Sequence, residues 1–259
     1  MENNITPIFK TNSSLGRSIL SIEDEDKITD DSSTSVIAIA KTHKLNELIV
    51  IDDSFLGFPK LYKNCNKNDI QLKFGINFIL CNNITEKDDK SLLSEHKVSV
   101  VMKNSQGYKD LIKLHDAINA QIDNFYYIPR GDFKIIRDNW TDNLELVIPP
   151  FDGFIHKNYL CNGHCLPEFS GIKPILTYAN MELPWNKVLN KKIKDYALNN
   201  NFQLEEVHSI YYYKKSDFKT YSIFRAIDNR AKFPKPNIDY FCSDAFCFEN
   251  YCNKIGEKI

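Results

Sequence analysis

No apolar run in this chain reaches the roughly 18 residues that a membrane-spanning helix needs. The opening MENNITPIFK has no basic segment followed by an apolar one. Neither a membrane anchor nor a secretory leader is therefore expected. Phosphate-cradling glycine signatures are missing too: nothing matches GxGxxG or the P-loop, so nucleotide binding has no support. Charge of one sign is not in excess. With 33 Lys+Arg against 34 Asp+Glu the formal net charge is −1, which removes any global electrostatic case for wrapping a nucleic-acid backbone. Internal repeats and long linkers are also lacking. The 7 cysteines are odd in number and follow no leader. That argues against a complete disulfide framework and for reduced thiols in the cytoplasm.

What remains is an ordinary globular composition, 42% hydrophobic and 26% charged, in 259 residues, enough for one large core; a single domain over 1–259 is expected. The most polar stretch, 22–33 with EDED and DDSS, reads as a loop entering a helix capped near Ser33 and running over 33–43. Residues 86–95 form a second charged loop. Strand-like runs fall at 8–13, 47–52 (ELIVID), 70–80 with a bend at Gly75, 98–102, 143–148, 173–178 and 202–208. Helical spacing covers 59–65, 105–119, 184–200 and 216–227. This alternation predicts an α/β fold with a mostly parallel sheet. A closed barrel and a doubly wound open sheet both satisfy it.

Few side chains stand out as chemistry. Cys161, His164 and Cys165, with His156 nearby, form the one compact group of metal-type residues, but C-x3-C without a second pair fits zinc loosely. A reduced-thiol loop is the plainer account. Cys242, Cys247 and Cys252 recur at a spacing of neither a helix face nor a zinc site and read as semi-buried thiols. His208 and Ser209, adjacent on a strand, point to opposite faces and cannot make a nucleophile–base pair. Tyr211, Tyr212 and Tyr213 before Lys214 and Lys215 have the chemistry to stack bases, although an aromatic strand end is more often core and rim.

The stretch VSVVMKNSQGYKDLIKLHDAIN, ending at Asn119, is more specific. Its apolar strand, Lys-Asn turn, Gly107-Tyr108 and amphipathic helix with Leu111, Ile112 and Leu114 resemble the LLAKNxxGYxNLxKL segment of the PHP (polymerase and histidinol phosphatase) domain of bacterial DNA polymerase III alpha subunits. Other segments resemble that family in the same order. FKTNSS from Phe9 is similar to its H-x-H-S opening, LIVIDD from Leu48 to its A-L-A-I-T-D-H strand, and 60–80 to its E-F-Y-x-A-C segment. LEEVHSIYYYKKSDF onward, with Tyr212, Asp217 and Ile227, resembles its N-D-V-H-Y-L tail, and 240–251 its Y-x-K-S-x-E-E-M.

The resemblance implies a distorted (β/α)7 barrel whose active members hold metal ions at the C-terminal mouth. An H-x-H pair on one strand would grip an ion, because residues i and i+2 share a side. Here the corresponding positions are Lys10 and Asn12. The D-H pair becomes Asp52 and Asp53, the glutamate Asn77, the strand histidine Lys97, and the final D-x-H pair Ser209 and Tyr211. Only Asp52 keeps the family residue. The family's cysteine falls near Pro150 and Phe151, neither a ligand. Lysine repels a divalent ion and an asparagine amide is a weak ligand, so a site without metal or other cofactor is expected, with Lys10 and Lys97 paired to Asp52 or Asp53. The alternative, that a slipped alignment hides His96 or His208 as ligands, requires a change of face, since His96 neighbours Lys97 on its strand.

The resemblance thus implies a catalytically inactive domain that acts as a scaffold for a DNA polymerase core or another replication or repair subunit, with at most indirect contact with DNA. The chain is expected to be either a separate polypeptide beside such a core or its excised N-terminal part. A metal-dependent phosphoesterase or 3′-5′ exonuclease, and a zinc-stabilised binding protein built on Cys161–Cys165, are the competing readings.

Overall fold

Short apolar runs alternating with helical spacing become a ring of strands in this chain. The computed structural model describes residues 5–14, 16–29, 34–120, 129–228 and 243–257. Strands β1 (Thr6–Phe9), β2 (Glu47–Asp52), β3 (Gln71–Leu80), β4 (His96–Met102), β5 (Leu144–Ile148), β6 (Ile175–Tyr178) and β7 (Gln203–Ile210) hydrogen-bond in sequence order and close into a barrel. A doubly wound sheet would reverse its strand order partway, so that alternative is excluded. The helices are α1 (Val36–Thr42), α2 (Phe58–Lys67), α3 (Asp89–Leu92), α4 (Ser105–Asn119), α5 (Phe133–Asp138), α6 (Phe154–Leu160), α7 (Asn186–Asn200), α8 (Phe218–Asp228) and α9 (Phe248–Ile255). None is long and apolar enough to cross a membrane.

Two compact units divide the chain, and β3 and β7 each contribute residues to both. The first comprises Met1–Phe74, Met181–Pro184 and Val207–Ile259. Its core gathers Phe9, Leu48, Val50, Leu61, Phe74, Tyr212 and Phe248, all fully enclosed. Here β1 pairs in parallel with β7, Phe9 opposite Ile210. The strand is shorter than its sequence indicates: it stops at Phe9, and the chain turns at Asn12 and Ser13. Helix α1 is capped by Ser35, whose hydroxyl accepts the Ala38 N–H at 2.9 Å. The expected cap near Ser33 lies outside the described residues, as do Tyr240 and Cys242.

The second unit is Gly75–Asn180 with Trp185–Glu206. Its sheet departs from the parallel expectation at β4, which runs antiparallel to both β3 and β5. Alternation of strand and helix does not encode direction, and the connection from β3 to β4 carries only the single turn of α3. Register places Asn77 opposite Ser99 and Ile79 opposite Lys97. Gly75 faces Val101 so closely that a Cβ there would lie 2.9 Å from the Val100 carbonyl oxygen. The charged loop 86–95 is more ordered than its composition implies. Buried Arg130 donates to the Glu95 carboxylate (3.0 Å), the Glu86 carbonyl (2.6 Å) and the Ser91 hydroxyl (3.1 Å).

The Asn-x-x-Gly-Tyr segment now has a physical account. Asn104 caps α4 by accepting the Gly107 N–H at 2.9 Å. A Cβ on Gly107 would stand 2.4 Å from the Asn143 carbonyl oxygen, so only glycine lets α4 approach the start of β5. One turn on, Asp110 accepts from Thr141 Oγ1 (2.8 Å) and Asn143 Nδ2 (2.9 Å). The Asn143 amide, then the Thr141 hydroxyl, hold its carboxyl below the ordinary 3.8. A depressed folded-state pKa stabilises fully above the unfolded value and less as pH falls through the folded one. Urea midpoints measured from about pH 5 to about pH 2 should therefore fall less for Asp110→Asn than for the native chain.

Candidate functional site

In the first unit the loop after β1 meets the end of β2. Asp52 is fully enclosed, yet its carboxylate is satisfied: Oδ1 accepts the Thr11 N–H (2.9 Å) and the Ser14 hydroxyl (2.8 Å), and Oδ2 accepts the Thr11 hydroxyl (2.6 Å). Burial pushes the Asp52 carboxyl above its ordinary value, while the Thr11 hydrogen bonds, the Lys10 charge and Ser14 pull it down. The Ser14 hydroxyl also accepts the Asp53 N–H at 2.8 Å. Lys10 Nζ donates to Asp53 Oδ1 at 2.7 Å, the lysine almost covered and the aspartate 37% exposed.

The other positions of the unit diverge from a ligand shell. Because β1 ends at Phe9, Lys10 and Asn12 are not an i, i+2 strand pair, and Asn12 is exposed. Ser209 sits in β7 opposite Ile8. The ring of Tyr211 stacks against Phe246 at 5.3 Å and Tyr221 at 6.0 Å. Tyr212 is core, so the tyrosine run is packing rather than a stacking platform. His208 is enclosed, with Nε2 3.2 Å from the Cys247 carbonyl oxygen and Nδ1 3.3 Å from Lys254 Nζ. Burial first and the Lys254 charge second lower its pKa to about 3.

In the second unit the reversed direction of β4 puts the start of that strand beside the end of β5. Lys97 donates its backbone N–H to the Asp152 carbonyl (2.7 Å), and its Nζ stands 3.3 Å from Asp152 Oδ2. Lys157 Nζ lies 3.6 Å from the other carboxylate oxygen. The partner of Lys97 is thus Asp152, a correction to the expected Asp52 or Asp53. Asp152 follows Pro150 and Phe151 and adopts the left-handed conformation (φ 59°) that non-glycine residues seldom take. Asn77 Oδ1 accepts the Ser99 hydroxyl at 2.6 Å. His96 faces away from Lys97, its ring 5.9 Å from Phe133, and burial lowers its pKa to about 4.

The thiol loop does not assemble a metal centre. Cys161 is exposed, its sulfur 3.8 Å from His156 Nδ1, whereas Cys165 is buried against the Leu93 carbonyl and pushed by burial to about 12. Among the described residues Cys161, His164 and Cys165 do not converge as a group of three ligands.

A closed ring of seven strands surrounded by helices defines an α/β barrel. The family model described as PHP domain matches residues 10–201, well over half of the chain, and the chain belongs to that family. Comparison with curated proteins gives no match.

Thr11, Ser14 and Asp152 were not legible as partners: hydroxyls and a turn aspartate carry no ligand signature. Their weight is measurable. Asp52→Ala strands the Thr11 N–H and two buried hydroxyls and should cost about 3 kcal/mol in urea unfolding. Lys10→Ala leaves a half-exposed carboxylate and should cost about 1 kcal/mol or less. Equal losses would show that the Asp52 network is not the stronger tie.

Proposed function

We propose that this chain is a PHP domain without metal chemistry that serves as a scaffold for a DNA polymerase core or another replication or repair subunit. Its resemblance to the N-terminal domain of bacterial DNA polymerase III alpha subunits supports the choice of partner. The observation that carries the reading is the Lys10–Asp53 ion pair, joined to an Asp52 carboxylate whose oxygens are already taken. A divalent ion about 4 Å from an ammonium group meets a repulsion of about 8 kcal/mol at an effective dielectric of about 20. It would also have to displace hydrogen bonds that keep a buried carboxylate satisfied. In the second unit Lys97 and Lys157 flank Asp152 in the same manner. Phosphoester hydrolysis by a metal-activated water needs a bound ion and an open coordination position, whereas Asp52 is occupied by Thr11 and Ser14, and Asp53 and Asp152 are paired with lysines.

What persists is the framework: the strand ring, the glycine-mediated approach of α4 to β5 and the buried arginine clamp on 86–95. A barrel that keeps its packing without its ligands presents surface rather than chemistry, and DNA contact is then indirect, through the partner.

Co-purification from the native host should recover a polymerase or polymerase-associated subunit. The isolated chain, supplied with Mn2+ or Zn2+, should leave phosphomonoesters and DNA 3′ ends intact, and its metal uptake should be the same with Asp53→Asn. Hydrolysis that Asp52→Ala abolishes, or an ion that Asp53→Asn releases, would establish the metal-dependent phosphoesterase or exonuclease instead.

A further inference from the structure

Away from the Asp52 network, the first unit brings together three side chains of mixed donor type, one of them the Cys252 thiol read in sequence as semi-buried. His43 caps the C-terminal end of α1, Cys252 lies in α9, and Glu257 follows it. One ligand atom from each lies within 4.8 Å of the others. The approach is built by the backbone. Gly256, in the left-handed region at φ 82°, turns the chain after α9, and the Glu257 N–H returns to the Cys252 carbonyl at 2.9 Å. The imidazole is held as well: Nε2 is 3.2 Å from the Tyr213 hydroxyl, and the ring meets Phe248 edge-on at 4.7 Å.

We propose that His43, Cys252 and Glu257 form a zinc(II) site, three protein ligands with water completing a tetrahedron, that staples α9 to the end of α1. Nitrogen, thiolate and carboxylate are the zinc donor set, and bonds of about 2.0–2.3 Å place ligand atoms about 3.3–3.8 Å apart, a small closure from the present spacing. Cys252 is enclosed, His43 half-buried and Glu257 exposed, so the ion enters from the Glu257 side. Burial lowers the His43 pKa against the opposing Glu257 charge, leaving a neutral imidazole. Burial also raises the Cys252 thiol to about 11. Binding therefore breaks the S–H bond: the sulfur electron pair goes to zinc and the proton to solvent. With Nε2 already facing the Tyr213 hydroxyl, the proposal assigns the metal to Nδ1; Nε2–H then donates to Tyr213, which makes Tyr213 a positioning residue.

The test uses the full chain freed of metal by chelator dialysis, titrated with Zn2+ against a chelating indicator and with Co2+ for its thiolate charge-transfer absorption. One equivalent should bind, with the thiolate band. His43→Gln and Glu257→Gln should each weaken zinc by about 100-fold, and Tyr213→Phe by about tenfold. Cys252→Ser should remove the band; if that enclosed position does not tolerate serine, the His43 and Glu257 variants carry the test. Asp53→Asn should bind zinc as the native chain does. No stoichiometric binding, a cobalt spectrum lacking the thiolate band, affinity unchanged in His43→Gln, or an ion lost with Asp53→Asn would each overturn the assignment.

Discussion

A carboxylate with no access to water is the constraint around which the first unit is organised. Asp52 ends a strand in which it follows the apolar run Leu48–Ile51, and its charge has to be met within the fold. Thr11 and Ser14 meet it from the loop after β1, and Ser14 accepts the next backbone N–H, at Asp53. That loop therefore cannot move without uncovering a buried anion. Lys10 is carried along and placed against Asp53. Position, pairing and burial of these residues follow from a single electrostatic requirement.

The second unit solves a similar problem by direction rather than by hydroxyls. Reversing β4 brings the first residues of that strand to the last residues of β5, where Asp152 stands between two lysines. A strand laid parallel to its neighbours would have carried Lys97 to the opposite end. Ammonium and carboxylate groups there neutralise one another at close range.

Periodicity reports what a residue does every turn or every second position. It therefore recovered α4, with Leu111, Leu114 and Ile118 on one face, while β2 was legible as a short apolar run suited to a strand buried on both faces. Short helices escaped for the same reason: α3 and α5 are too brief to show a face, and α6 and α9 begin with aromatic residues that read equally as loop or strand. The likeness of the Gly107 segment was visible in sequence, whereas its cause, the approach of the Asn143 carbonyl, depends on a partner more than thirty residues away. Ligand positions could be compared one by one, but which lysine meets which aspartate depends on strand direction and loop path. The same distance effect hid His43 from Cys252: the spacing of Cys242, Cys247 and Cys252 was weighed only among themselves, and the imidazole near Cys252 comes from the end of another helix.

The distribution of thiols has a kinetic consequence. Cys65, Cys81, Cys165, Cys247 and Cys252 are buried with pKa values pushed up to about 11 or 12, while Cys161 alone among the described cysteines is exposed. A disulfide reagent meets Cys161 directly but reaches the others only during local opening, so each rate reads the free energy of the motion that uncovers that sulfur. Cys65 on α2, Cys81 after β3 and Cys252 on α9 lie on different elements. The chain thus carries its own set of gauges for which parts of the barrel breathe together and which give way alone.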